Sequence, residues 1–279
     1  MLRIASRGQI FSWDRPVVMG IMNVTPDSFF DGGKYQEIAA ILEHCHKMVS
    51  EGVDIIDIGA FSTRPGSERI SVKEELNRMI PALKAIRKEF PNILISIDTF
   101  RQSVAAQCIA EGADIINDIS GGLFDEAMIP YIGKNHIPYI LMHITGTLEG
   151  MHHEEIISEN VHEKVRQFFE IQLNKLLEYG EQQIILDPGI GFNKTIGCNF
   201  QLLKNLDKYR VNDLPILIGI SHKSLIFKTL NITPQEALNG TTVLNTVALL
   251  NGADILRVHD VKEAVEAVKL VRAVISTEA

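Results

Sequence analysis

Short apolar runs that stop at a polar residue recur along this chain. The run 17–22 stops at Asn23, 93–97 at Asp98, 115–116 at Asn117 and 184–186 at Asp187; the runs 53–58, 139–142, 216–220 and 255–258 behave alike. Runs of this length, separated by longer segments of helical period, predict buried parallel strands. The helical segments show apolar residues three and four apart, as in Ile38, Ile41, Leu42, Cys45 and Met48, or Val72, Leu76, Met79, Leu83 and Ile86. That spacing puts them on one helix face. Helices are expected at 35–51, 71–90, 101–111, 155–179, 235–251 and 261–275, with weaker patterns at 124–134 and 199–208.

One junction repeats. Glu51-Gly52-Val53-Asp54-Ile55-Ile56, Glu111-Gly112-Ala113-Asp114-Ile115-Ile116 and Asn251-Gly252-Ala253-Asp254-Ile255-Leu256 share one pattern. Each Gly follows a helix and precedes a strand, where a positive φ stops the helix cheaply. Repeated βα units give an α/β fold. A single-domain (β/α)8 TIM barrel over 1–279 suits the length and the count of runs better than an open doubly wound sheet. Residues 1–15 precede the first long strand and are expected to form a hairpin covering the barrel bottom.

A barrel sorts its polar residues by strand end. Asp54, Asp114 and Asp254 begin strands and are expected to serve turns or stability. Asp98 and Asp187 end strands, at the face that carries chemistry in this fold. Alternation along a strand puts Arg257 and His259 on one side. Ser221 and Lys223 would share a side if their strand ran that far. Cations on the last two strands suit a phosphate corner; the alternative pairs Arg257 with an interior carboxylate. Thr99 suffices to cap the following helix, which leaves Asp98 to face the pocket. His143 reads equally well as a core histidine or a catalytic one. The stretch from Asn23 through Phe29 to Gly33, rich in Gly and Pro, and the one from Ser62 to Gly66 are expected to be loops over the site.

Composition narrows the partners. A net charge of −8 disfavours general nucleic-acid binding, so cations must gather locally around any anionic substrate. No apolar stretch approaches a membrane span, and the N-terminal residues lack a secretory signal. Cys45, Cys108 and Cys198 are widely spaced, which suits a reduced, cytoplasmic setting. Two carboxylates with two amides suit a flat heterocycle rich in N–H donors, and the cations suit an attached phosphate. No spacing indicates a covalent nucleophile.

The segments Met19-Gly20-Ile21-Met22-Asn23-Val24-Thr25-Pro26-Asp27-Ser28-Phe29, Ser62-Thr63-Arg64-Pro65-Gly66, Ser96-Ile97-Asp98-Thr99, Ile116-Asn117-Asp118, Asp187-Pro188-Gly189-Ile190-Gly191-Phe192 and Leu256-Arg257-Val258-His259-Asp260-Val261 resemble, in order, the dihydropteroate synthase family of pterin-binding folate enzymes. The resemblance implies a transferase joining 6-hydroxymethyl-7,8-dihydropterin pyrophosphate to p-aminobenzoate by an SN1-like path. It implies catalytic roles for Asp98, Lys223, Asn23 and Arg257, and a pterin cradle of Asp98, Asn117, Asp187, Lys223 and Met142. It places pyrophosphate at Asn23, Thr63, Arg257 and His259, with Mg²⁺ at Asn23. It places p-aminobenzoate at Phe192, Pro65, Ser224, Thr63 and Phe29. It further implies a homodimer and a sulfonamide target. The chain departs from the family pattern at Phe61, Asn193 and His222, the last standing where Arg usually precedes the Lys. The alternatives are a methyltetrahydrofolate methyltransferase, which would not need the cation corner, and a non-catalytic pterin-binding paralogue.

Overall fold

The computed structural model describes residues 2–24, 33–60, 70–147, 157 and 159–277. The chain opens with an antiparallel hairpin, β1 (Leu2–Ser6) and β2 (Gln9–Trp13). Arg7 and Gly8 turn it, both at positive φ, which matches the twist of a two-residue hairpin. Eight parallel strands follow: β3 (Val17–Asn23), β4 (Ile55–Gly59), β5 (Leu94–Asp98), β6 (Ile115–Asp118), β7 (Tyr139–Met142), β8 (Ile184–Asp187), β9 (Leu217–Ile218) and β10 (Ile255–Val258). Neighbours in sequence are neighbours in space, and β10 lies between β3 and β9. A bridge between Leu186 and Ile216, with the amide of Leu186 donating to the carbonyl of Pro215 at 2.8 Å, joins β8 to the start of β9. The sheet is thereby a nearly closed (β/α)8 barrel.

The helices wrap it: α1 (Gly33–Glu51), α2 (Val72–Glu89), α3 (Gln102–Ala110), α4 (Met128–Asn135), α5 (Val161–Leu177), α6 (Ile196–Lys204), α7 (Ser224–Leu230), α8 (Leu238–Leu250) and α9 (Val261–Ser276). None is long and apolar enough to cross a membrane among the described residues. The expected helix 199–208 is two elements, α6 and a short 3₁₀ turn at Leu206–Lys208, because Thr195 caps α6 early by accepting from the amide of Cys198. The helix expected from 155 begins at Val161, after Asn160 in a left-handed conformation. The short α7 has too few turns to show a period and was not expected.

Strand alternation divides the core in two. Val18, Ile56, Ile95, Ile116, Leu141, Leu186, Ile218 and Leu256 face outward into the helix layer. Val17, Met19, Ile55, Leu94, Ile115, Ile140, Ile185, Leu217 and Ile255 face inward and fill the lower barrel, with Leu2 and Ile4 of the hairpin packed beneath. The interior is thus apolar and sealed at the bottom, which leaves the top for chemistry.

The repeated junction explains the bottom rim. Gly52, Gly112 and Gly252 have φ of +96°, +100° and +92°. The Asp two residues on turns back to accept a backbone amide of the preceding strand or its entry: Asp54 from Val18 at 2.9 Å, Asp114 from Ile95 at 2.8 Å, Asp254 from Ile216 at 2.8 Å. Each carboxylate also holds an arginine: Arg15 on Asp54, Arg7 and Arg87 on Asp114, Arg210 on Asp254. Arg7 sits in the hairpin turn and Arg15 just beyond β2, so these ion pairs fasten the plug to the barrel.

Candidate active site

The inward positions change character near the top of the barrel. Register places Asn23 of β3, Gly59 of β4, Asp98 of β5 and Asn117 of β6 in one row, and Met142 of β7 opposite Asp187 of β8. An ideal Cβ built on Gly59 would come within 3.4 Å of Asp98 and 3.8 Å of the Asn23 amide oxygen. The bare glycine keeps space between those side chains.

Arg257 crosses the centre of the row. Its Nε donates to Oδ2 of Asp57 and its Nη2 to Oδ2 of Asp98, each at 2.7 Å. Asn117 donates to the same Asp57 oxygen at 3.0 Å. The ion pair with an interior carboxylate, weighed from sequence as the alternative for Arg257, is therefore present. Burial disfavours the Arg257 charge, but Asp57 and Asp98 outweigh it and hold the guanidinium above its ordinary range. Burial pushes the Asp98 carboxyl up to about 7, against the pull of Arg257 and with the push of Asp57. Its side chain keeps 14% of its surface open, so it is the carboxylate of the pair that a ligand can reach.

Asp187 accepts the amide of Gly189 at 2.8 Å, and burial raises its carboxyl against the pull of Lys223. Lys223 donates its Nζ to the carbonyl of Ile190 at 2.5 Å and stands 4.8 Å from the centre of the Phe192 ring. Burial lowers the Lys223 ammonium to about 8, and Asp187 opposes that. Met142, Phe100, Ile119 and Ile144 form an apolar wall on which Phe192 and Phe124 pack. A flat ring entering here would meet carboxylates and amides at its edge, with Lys223 and the apolar wall beside them.

Strand period does not explain Lys223. β9 ends at Ile218, so the strand does not run far enough for Ser221 and Lys223 to share a face, the condition set from sequence. Lys223 is instead the N-cap residue of α7, and Ser224 is the first residue of that helix. Ser221 lies 2.9 Å from Nδ1 of His259 and accepts the His259 amide at 3.2 Å. His222, in a left-handed conformation, is turned to the carbonyl of Pro234 at 2.7 Å and to Asp260 at 2.8 Å.

One further expectation changes, and two neighbouring residues find their places. Thr99 does not cap α3: the N-cap position is Arg101, and Asp125 accepts the Gln102 amide at 2.7 Å. Thr99 instead donates to buried Glu75, which also pairs with Arg101, and Arg101 reaches the carbonyl of Ile70. These contacts brace the tip of β5 beside Asp98. His143 is buried, with its ring edge-on to Phe168 and Nδ1 without a hydrogen-bond partner. Asp118 is also structural, accepting from Tyr139, Ser120 and Gly122. Phe29, Phe61, Thr63 and Pro65 lie outside the described residues.

Besides Glu75, sequence reading missed two buried charges close to the pocket. Asp57 sits within a strand, where only the alternation Ile55, Asp57, Gly59 marks it as inward-facing. Lys194 donates to the carbonyls of Gly189 at 2.9 Å, Phe192 at 3.1 Å and His143 at 3.4 Å, so it gathers the loop that carries Phe192. Burial lowers it to about 7, against the pull of Asp187. Among the described residues no group of three His, Cys, Asp or Glu side chains could hold a metal ion.

Comparison with known proteins supplies the family. The family model described as pterin binding enzyme matches residues 19–259. A dihydropteroate synthase of Synechocystis is 44% identical over 265 residues, spanning 94% of this chain and 91% of that protein. The structure of Yersinia pestis dihydropteroate synthase with a sulfonamide drug superposes with a TM-score of 0.89 at 37% identity, over 99% of this chain and 100% of that one. The Clostridium difficile enzyme, solved in the presence of pteroic acid, gives 0.87 at 36% identity, over 95% and 98%.

Proposed function

The chain belongs to the pterin binding enzyme family, and from that premise we propose that it acts as a dihydropteroate synthase. It condenses 6-hydroxymethyl-7,8-dihydropterin pyrophosphate with p-aminobenzoate to give 7,8-dihydropteroate and pyrophosphate. The observation that carries this reading is the polarised row of strand ends: Asp98, Asn117 and Asp187 beside Lys223 and Arg257, over an apolar wall.

The carboxylates accept from the N–H edge of the pterin, and Asn117 adds an amide. Met142 and Lys223 lie against the ring, and Phe192 and Ser224 border p-aminobenzoate; Phe29, Thr63 and Pro65 are assigned to that substrate by family resemblance alone. The C–O bond to pyrophosphate breaks first, leaving a cation on the pterin methylene. Asp98 stabilises that cation as a fixed negative charge in a site of low dielectric. Arg257, His259 and Asn23 take the departing pyrophosphate. The aromatic amine then forms the C–N bond, and its acidic anilinium proton passes to solvent without a dedicated base.

Mg²⁺ belongs to this reading as a substrate-borne ion. It commonly keeps waters and phosphate oxygens and takes only one or two protein ligands, which suits the single amide oxygen of Asn23 at the rim. When bound, it neutralises charge on the leaving group. A homodimer is proposed through α8 and α9, which pack together and expose Val243, Leu250, Leu270, Val274 and Ile275. The three cysteines are free and buried, in keeping with a reducing cytoplasm. Sulfonamides would compete at the p-aminobenzoate site.

The test supplies both substrates and Mg²⁺ to the folded protein and looks for dihydropteroate by mass. Turnover to that product is expected; its absence from folded, pterin-competent protein overturns the reading.

A further inference from the structure

Asp57 lies on β4 one inward position below Gly59 and is wholly buried. Its Oδ2 accepts from both Arg257 Nε and Asn117 Nδ2, while its Oδ1 is buried without a hydrogen bond. A carboxylate sealed this deeply cannot meet a substrate. Asp98, one strand over and higher, can. One guanidinium joins the two.

That arrangement sets up a competition. Ring N–H donors approaching Asp98 must contend with Nη2 of Arg257, which already holds Oδ2 at 2.7 Å. A phosphate offers Arg257 a replacement anion. Guanidinium carries five donors in a rigid fork, so it can surrender one partner and keep another.

We propose that Asp57 is a positioning residue that holds Nε of Arg257 inside the barrel while the outer nitrogens exchange Asp98 for the pyrophosphate of the substrate, so that binding of the leaving group frees Asp98 for the pterin. The inference rests on the dihydropteroate synthase reading. Its consequence is thermodynamic linkage: pyrophosphate and a plain pterin each strengthen the binding of the other, by the same factor. Removing the Asp57 charge while keeping its shape leaves Asp98 as the remaining carboxylate partner of Arg257, and the competition deepens. Pyrophosphate relieves that deficit by drawing Arg257 away.

The test titrates the full chain with 6-hydroxymethylpterin, which bears no phosphate, by calorimetry. Titrations are run with and without saturating inorganic pyrophosphate and Mg²⁺. In the unaltered protein pyrophosphate is expected to tighten pterin binding about tenfold, a typical coupling between linked sites. Asp57→Asn is expected to weaken pterin binding about a further tenfold without pyrophosphate, and by less than about twofold with it. Arg257→Lys, a cation without a fork, is expected to lose most of the coupling, and it decides the matter should the Asn variant not fold. Equal weakening in Asp57→Asn with and without pyrophosphate marks a merely structural residue and overturns the proposal. So does coupling that survives Arg257→Lys undiminished. Pterin binding without coupling in the unaltered protein sinks the inference and leaves the functional reading standing. No pterin binding at all removes both.

Discussion

Asp114→Ala tests whether the two ends of the barrel have separate duties. Asp114 is fully buried and accepts four hydrogen bonds, from Ser6, Arg7, Arg87 and the amide of Ile95. The Ala variant strands the Ile95 amide in a closed core and leaves Arg87 without its carboxylate. Breaking one side of such a buried pair costs about 3–5 kcal/mol, and the orphaned amide accounts for about 1–3 of it. Arg87 retains the carbonyls of Gly112 and Ile93, which moderates the loss and places the expectation near about 3 kcal/mol. With a urea m-value of about 3 kcal/mol/M, the unfolding midpoint should fall by about 1 M. The same motif supplies controls. Side-chain exposure is 0% at Asp114, 8% at Asp54 and 37% at Asp254, so the cost of Ala should fall in that order. The assay pairs urea unfolding with initial rates under conditions where each variant is folded. Turnover of folded Asp114→Ala should stay within about twofold of the unaltered protein, because the bottom rim of this fold serves stability. A large loss of turnover with an unchanged midpoint, or the reverse order among the three aspartates, refutes the reasoning.

Other outcomes follow from the top of the barrel. Asp98→Asn keeps shape and removes charge, so kcat should fall by about a hundredfold or more while pterin affinity changes far less; equal losses would argue against an electrostatic role. With the Asp98 carboxyl raised to about 7, the free protein protonates it as pH falls through that value, so kcat/KM should decline on the acid side. Asp98→Asn should flatten that limb, which a pH series of initial rates would reveal. Arg257→Ala should weaken pyrophosphate-bearing ligands at least about tenfold more than plain pterin, read by competitive titration. Gly189 has φ +65° and a Cβ there would lie 2.0 Å from the carbonyl of His143, so Gly189→Ala should unseat the Phe192 loop and depress both stability and p-aminobenzoate binding. Gly197→Ala, with nothing within 4 Å, is the neutral comparison in the same melting experiment.

Much of the site was legible because strands carry their chemistry at their ends. Asn23, Asp98, Asn117 and Asp187 each terminate an apolar run, and the barrel gathers those terminations at one rim. The aspartates of the repeated junction could likewise be assigned to the opposite rim from their place before the strands. Lys223 was legible as a cation near the seventh barrel strand, though for the wrong geometric reason: it caps a short helix and does not extend a strand. Asp57 and Lys194 escaped notice because a single polar residue inside an apolar stretch, or a Lys in a loop, has no period to mark it.

The sequence by itself determined the periods, and the periods determined the parallel barrel, its inward and outward faces and the end at which chemistry lies. Those are local properties, set by spacing of two along a strand and between three and four along a helix. Only the tertiary structure decided which charges meet. Arg257 lies 200 residues from Asp57 and 159 from Asp98, and no local pattern links them. Their pairing is imposed by the closing of the sheet, which brings β10 beside β3 and opens a narrow interior of low dielectric. In that interior an unpaired charge is costly, so the half-buried guanidinium takes the two carboxylates within its reach.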